Sequence, residues 1–181
     1  MKASQDQLIK ELINMTSSVK AEVVKMKEQP LSQLNLKQSA ESWSALECLE
    51  HLNRYGDFYL PEITRRINAS KHPNAKRFKS SWLGEYFANA MKPDAKSMQT
   101  FKVMNPVGSE LDKTVIDTFI QQQDTLLDLL EAAQTTSLQK IKTSISISKM
   151  IRLRLGDTFR VLIYHNERHL AQAKRAVDAK K

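Results

Sequence analysis

An all-α fold, a four-helix bundle with one long crossover, is what this sequence predicts, and three observations lead there. Four segments carry apolar residues at alternating three- and four-residue steps, the period that lines one face of an α-helix. Glycine and proline are scarce, 4 and 5 in 181 residues, so few points interrupt a helix. Hydrophobic residues form 41% of the chain and charged residues 27%, a balance that supports a packed core and excludes a disordered chain. The length fits one ordinary domain, 1–181, large enough to bury a core without disulfides.

The first helix runs from about Ser4 to Glu28, with Leu8, Leu12, Met15, Val19, Val23 and Met26 on one face and Pro30 just past its end. After a connector, Ser44 and Glu47 have the spacing of a capping box, and Trp43 sits where a hydrophobic staple would. The second helix then carries Cys48, Leu52, Tyr55, Tyr59 and Ile63 inward to about Ala69, with a kink expected at Pro61. Proline or glycine at 73, 84, 93, 106 and 108 makes residues 70–109 an irregular crossover, with one short helix at Trp82 to Met91. A third long helix spans about Ser109 to Gln134 and presents Leu111, Val115, Phe119, Leu126 and Leu130. Ile141, Thr143, Ile145 and Ile147 alternate with polar residues, which fits either a short extended segment or an irregular approach to the last helix. That helix runs from about Asp157 to Asp178, striped by Leu162, Ile163, Leu170, Ala173 and Val177.

The net charge of +8 is unevenly placed. No acidic residue lies between Glu62 and Glu85, a stretch with Arg65, Arg66, Lys71, Lys76, Arg77 and Lys79. None lies between Glu131 and Asp157, where Lys140, Lys142, Lys149, Arg152 and Arg154 fall. Basic and aromatic residues interleave at Arg65, Arg66, Lys76, Arg77, Phe78, Lys79 and Trp82, but without a recognised nucleic-acid-binding motif this reads first as a solvated loop. No apolar run is long enough to cross a bilayer, and the N-terminal residues lack the apolar core of a signal peptide. Together with a single cysteine, Cys48, these features point to the cytoplasm. A bundle face left apolar would favour a homodimer.

Chemistry concentrates in the histidines. His165 and His169 stand four residues apart, one turn above the other on the face that also carries Leu162 and Ala173. His51 shares its helix face with Cys48 and Tyr55 and also looks inward. Three imidazoles converging from two helices would hold one divalent metal ion, zinc or nickel, and leave a position open for water or substrate. The competing reading is three hydrogen-bonded core histidines. Cys48 on an apolar face reads as a small core residue rather than a fourth ligand or nucleophile, and His72 as a solvated loop residue. Glu50 and Glu167 are placed to accept imidazole N–H groups, although exposed helix carboxylates are common. No residue can be assigned a catalytic role from the sequence.

The segment from Glu41 to Leu52, with Trp43-Ser44 and His51-Leu52, resembles the tryptophan-serine-to-histidine-leucine motif of the DinB-like family. His165-Asn166-Glu167-Arg168-His169-Leu170-Ala171-Gln172 resembles that family's final-helix motif. The resemblance implies an up-down-down-up bundle with a divalent metal, often zinc or nickel, on the three matching histidines. It also implies candidate activities, because relatives include metal-dependent transferases that activate a low-molecular-weight thiol, such as bacillithiol or mycothiol, and a thiol-dependent isomerase. On this reading the site favours the thiolate of a low-molecular-weight thiol for attack on an electrophilic small-molecule substrate, and the basic loops attract its carboxylates. A metal-dependent hydrolase and a non-catalytic metal-binding stress-response protein are the alternatives.

Overall fold

The computed structural model describes residues 1–96 and 99–179, apart from the side chain of Lys149. In chain order its elements are β1 (Lys2–Ser4), α1 (Gln5–Met26), α2 (Leu31–Leu34), α3 (Ala45–Asn68), β2 (Arg77–Lys79), α4 (Trp82–Ala90), α5 (Thr114–Ala132), β3 (Lys142–Ile145), β4 (Ser148–Arg154) and α6 (Leu155–Asp178). The four long helices expected from apolar periodicity are all present, and the chain is mostly helical. Among the described residues no helix is long and apolar enough to cross a membrane.

Local chemistry explains where the helices begin. The Ser44 hydroxyl accepts the Glu47 N–H at 3.1 Å, and the Glu47 carboxylate accepts the Ser44 N–H at 2.9 Å, so α3 starts on a complete capping box. Two orphan N–H groups are thereby satisfied. Asp112 accepts the Thr114 N–H at 2.8 Å, and α5 starts there rather than at Ser109. α3 continues through Pro61 to Asn68.

α3 packs along both α5 and α6, and α1 packs along the same two helices. One core cluster joins Leu8, Leu12, Tyr59, Ile63, Leu126, Leu130, Phe159 and Leu162. A second joins Val19, Val23, Cys48, Leu49, Leu52, Phe119, Leu170 and Ala173. Each of the four long helices contributes to both, so burial of apolar surface fixes their mutual placement at two levels. Cys48 is fully buried in the second cluster, and burial pushes its thiol up to about 12, which keeps it protonated and inert.

The segment with alternating isoleucines is a strand. β3 pairs antiparallel with β4, Lys142 opposite Arg154 and Ser144 opposite Arg152, with an irregularity between Ser144 and Ile145. β1 pairs antiparallel with β2 in the same way, Lys2 opposite Lys79 and Ser4 opposite Arg77. Phe78, the middle residue of β2, is buried against the start of α6. A Cβ on Gly156 would lie 2.6 Å from the Phe78 ring, so only glycine permits that approach. A third cluster, Ala88, Ile145, Leu153 and Val161, seats α4 on the β3–β4 ribbon and α6.

Candidate metal centre

α3 and α6 lie side by side, and their facing turns bring His51, His165 and His169 together. One ring nitrogen from each falls within 4.8 Å of the other two. Ring centroids are 5.0 Å apart for His51 and His165 and 4.6 Å for each of the other pairs. All three side chains are buried.

Two of the three nitrogens on the far side of the rings have partners. His51 Nδ1 is 2.8 Å from the carbonyl of Met104, and His169 Nδ1 is 3.0 Å from Gln172 Oε1. A carbonyl oxygen only accepts, so His51 carries its proton on Nδ1 and its Nε2 lone pair points into the cluster. The same assignment follows for His169 when Gln172 presents its oxygen. His51 Nε2 stands 3.2 Å from His165 Nε2. With its proton on Nε2, His165 would donate a hydrogen bond across that gap to His51; two nitrogens about 2.0–2.1 Å from one tetrahedral zinc ion would stand about 3.4 Å apart, so the same spacing also accommodates a metal ion. The donor set therefore fits a metal ion, and three buried imidazoles this close could bind one.

Electrostatics agree. Burial is the main cause that lowers the His51 imidazole to about 4 and His169 to about 3, and it drives His165 well below its ordinary value, with help from the two neighbouring rings. All three are neutral at pH 7, the form that donates a lone pair to a metal. Each folded pKa lies below the unfolded value of 6.5, so the unfolded metal-free chain binds protons that the folded chain refuses. Stability present above about pH 6.5 is thus expected to decline as pH falls toward about 4 in the metal-free protein. Urea midpoints at about pH 7.5 and about pH 5 measure this, and equal midpoints would contradict neutral buried imidazoles.

A cavity of about 250 Å³ lies over the rings. Trp43, Tyr55, Ala90, Met91 and Phe101 give it apolar walls, and Glu41, Gln99, Thr100, Arg168 and Gln172 its polar ones. Trp43, expected as a helix staple, packs against the core cluster that contains Cys48 and also stacks on His169, centroids 5.6 Å apart and planes 26° apart, and approaches His51 at 4.8 Å. The Tyr55 ring is 4.9 Å from His51 and 4.7 Å from His165. Its phenol is raised to about 12, chiefly by burial, and stays protonated at neutral pH.

Supporting residues differ from those expected. Glu50 pairs with Arg54 at 2.9 Å rather than with an imidazole, and the acceptors for the imidazole protons are Met104 and Gln172 in place of Glu50 and Glu167. Arg54 donates to the carbonyl of Asn105 at 2.7 Å and to Ser109 Oγ at 3.2 Å, which straps the 102–104 turn and its Met104 carbonyl onto α3. Arg168 donates to the carbonyls of Ala90, Lys92 and Lys96 and so fixes the end of α4 beside the cavity. The acid-free basic stretches do not line this cavity: Arg66 lies about 22 Å along α3 from His51, so their cations are not placed to hold carboxylates of a molecule bound there. His72 is exposed, as expected.

Neither the curated proteins nor the solved structures contain a match to this sequence. The sequence model of the DinB superfamily, however, matches residues 20–173, which takes in the Trp43-to-His51 segment, the long crossover and both histidines of α6. With a match over most of its length, and with the three histidines brought together where the two motifs meet, the chain belongs to the DinB superfamily.

Proposed function

We propose that the chain is one four-helix-bundle domain of up-down-down-up order in which His51, His165 and His169 bind a single zinc or nickel ion, and that it transfers a low-molecular-weight thiol to an electrophilic small molecule. The observation that carries this reading is the 3.2 Å approach of His51 Nε2 to His165 Nε2, beside a third imidazole, under a cavity of about 250 Å³. Three neutral ligands leave coordination positions open, which suits a catalytic rather than a closed structural site.

A divalent ion held there supplies Lewis acidity and lowers the pKa of a water or thiol that it binds. The chain's own residues do the rest. Met104 and Gln172 keep the Nδ1 protons of His51 and His169 outward, so both Nε2 atoms stay available. Trp43, Tyr55, Met91 and Phe101 keep bulk water from the rings and offer an apolar surface to the electrophile. Tyr55, protonated at neutral pH, is a proton-bearing group on the cavity wall.

Cobalt-substituted protein tests the thiol step. Addition of a low-molecular-weight thiol is expected to add a sulfur-to-metal absorption and shift the ligand-field bands. An unchanged spectrum would remove the thiol from the site. Turnover of simple esters or amides without thiol would replace the transfer with hydrolysis.

A further inference from the structure

The two acid-free stretches, far apart in sequence, are stitched into one face at the end of the molecule remote from the histidines. Pro73 bridges Thr136, the Ser137 N–H donates to the His72 carbonyl at 3.0 Å, and the Lys79 N–H donates to Gln139 Oε1 at 3.0 Å. The Arg154 guanidinium donates to the Lys79 carbonyl and ties the two ribbons together. Strand alternation then sorts the side chains. Thr143 and Leu153 are buried, so Lys142, Arg152 and Arg154 share the outer face of β3–β4. Phe78 is buried, so Lys2, Arg77 and Lys79 share the outer face of β1–β2.

Between the end of α3 and the β3–β4 ribbon lies a cleft of about 520 Å³. Arg66, Lys71, His72, Lys140, Lys142 and Arg152 line it, and no carboxylate does. Among the described residues Lys71, Lys140, Lys142 and Arg152 have no ion-pair partner, whereas Arg66 in the cleft pairs with Glu62, as Lys20, Arg54 and Lys174 on the long helices pair with carboxylates. Gathering like charges costs stability through self-repulsion, a cost that the fold itself does not require. Trp82, 83% exposed and stacked at 6.3 Å on Tyr86, follows Lys79 within about 10 Å of chain.

We propose that this face binds single-stranded nucleic acid through its phosphate backbone, without reading sequence. A concave cleft with a row of cations continuing beyond it suits an extended phosphate chain, whereas a planar lipid surface would not reach the cleft floor. The exposed Trp82–Tyr86 pair offers a stacking surface of the kind a splayed base uses. The inference is independent of the metal-site reading, because its surface shares no lining residue with the histidine cavity.

Fluorescence anisotropy with a labelled single-stranded DNA oligonucleotide of mixed sequence tests it. Binding is expected at about 50 mM salt and to weaken at least about tenfold by about 200 mM, because cations released from the strand drive association. The double reversal K142E/R152E is expected to weaken binding at least about tenfold. Reversal of the exposed α1 residue Lys10, K10E, is expected to leave binding unchanged. W82A is expected to weaken binding with the salt slope intact. Should the double reversal fail to fold, K142Q/R152Q takes its place. Absence of binding at low salt, equal weakening by K10E, loss of binding to inorganic phosphate at constant ionic strength, or binding to phosphatidylserine vesicles but not to DNA would each overturn the proposal.

Discussion

Protein purified without chelator or metal-affinity tag is expected to carry about one equivalent of zinc or nickel, and alanine at His51, His165 or His169 is expected to remove it. The free energy of a closed zinc site, about 10–16 kcal/mol in total, spreads over four ligands at about 2.5–4 kcal/mol each, so losing one imidazole costs on the order of a hundredfold or more in affinity. Substitution at Arg54 makes a graded contrast. R54A keeps every ligand but releases the strap that holds the Met104 carbonyl against His51 Nδ1, and should weaken binding about ten- to a hundredfold. Elemental analysis gives the stoichiometry, and chelator competition ranks the variants. Circular dichroism separates loss of metal from loss of fold. Metal-free protein after reconstitution, or full metal in all three alanine variants, would reduce the histidines to core residues.

How far this centre can be read from the sequence depends on whether the signal is local. The start of α3 is legible because Ser44 and Glu47 complete their exchange within one turn. The inward direction of His51, His165 and His169 follows from helical period alone, which fixes a residue's face once the apolar stripe is known. What period cannot give is the partner across space. Met104 contributes a backbone carbonyl, which any residue type can offer, so no sequence signal marks it. Trp43 has a local explanation next to the cap, but α6 crosses there and its ring stacks on His169. The strands β1 and β2 are three residues each and pair across the length of α1 and α3, and α1's beginning at Gln5 rather than Ser4 reflects that pairing. The acid-free stretches are visible in sequence as two lists of cations, and only contacts across space, the bridge from Pro73 to Thr136 and the bonds joining Ser137 to His72, Gln139 to Lys79 and Arg154 to Lys79, make them one surface.

The largest effect on stability is expected away from the histidines, at Arg160. It lies on α6 with its side chain 3% exposed and donates to Glu85 on α4 at 3.0 and 3.3 Å and to Ser80 Oγ at 3.2 Å. Its guanidinium is also 3.6 Å from the carboxylate of Asp157, whose side chain is fully buried. Asp157 accepts from Ser80 Oγ and, at 3.0 Å each, from the N–H and hydroxyl of Ser81, the residue whose hydroxyl caps α4. The packing is tight enough that a Cβ on Gly84 would lie 2.0 Å from Asp157 Oδ2. In R160L the carboxylate of Asp157 loses its only close cation among the described residues and remains out of water, which costs about 3–5 kcal/mol. For a chain of this size that lowers Tm by about 10 °C. The double variant R160L/D157N should recover part of the loss because it removes the stranded charge as well, and a double-mutant cycle measures the coupling. The acid limb gives an independent check. Arg160 is the main cause that holds Glu85 down to about 2 from the ordinary 4.5. The stability from that carboxylate is therefore present above about pH 4.5 and lost as pH falls toward about 2, and R160L should flatten this part of the profile. A loss below about 1 kcal/mol in R160L would mean that Asp157 is satisfied by its hydroxyl and amide partners alone, and α4 would then be held on α6 by the apolar cluster around Ala88 and Val161.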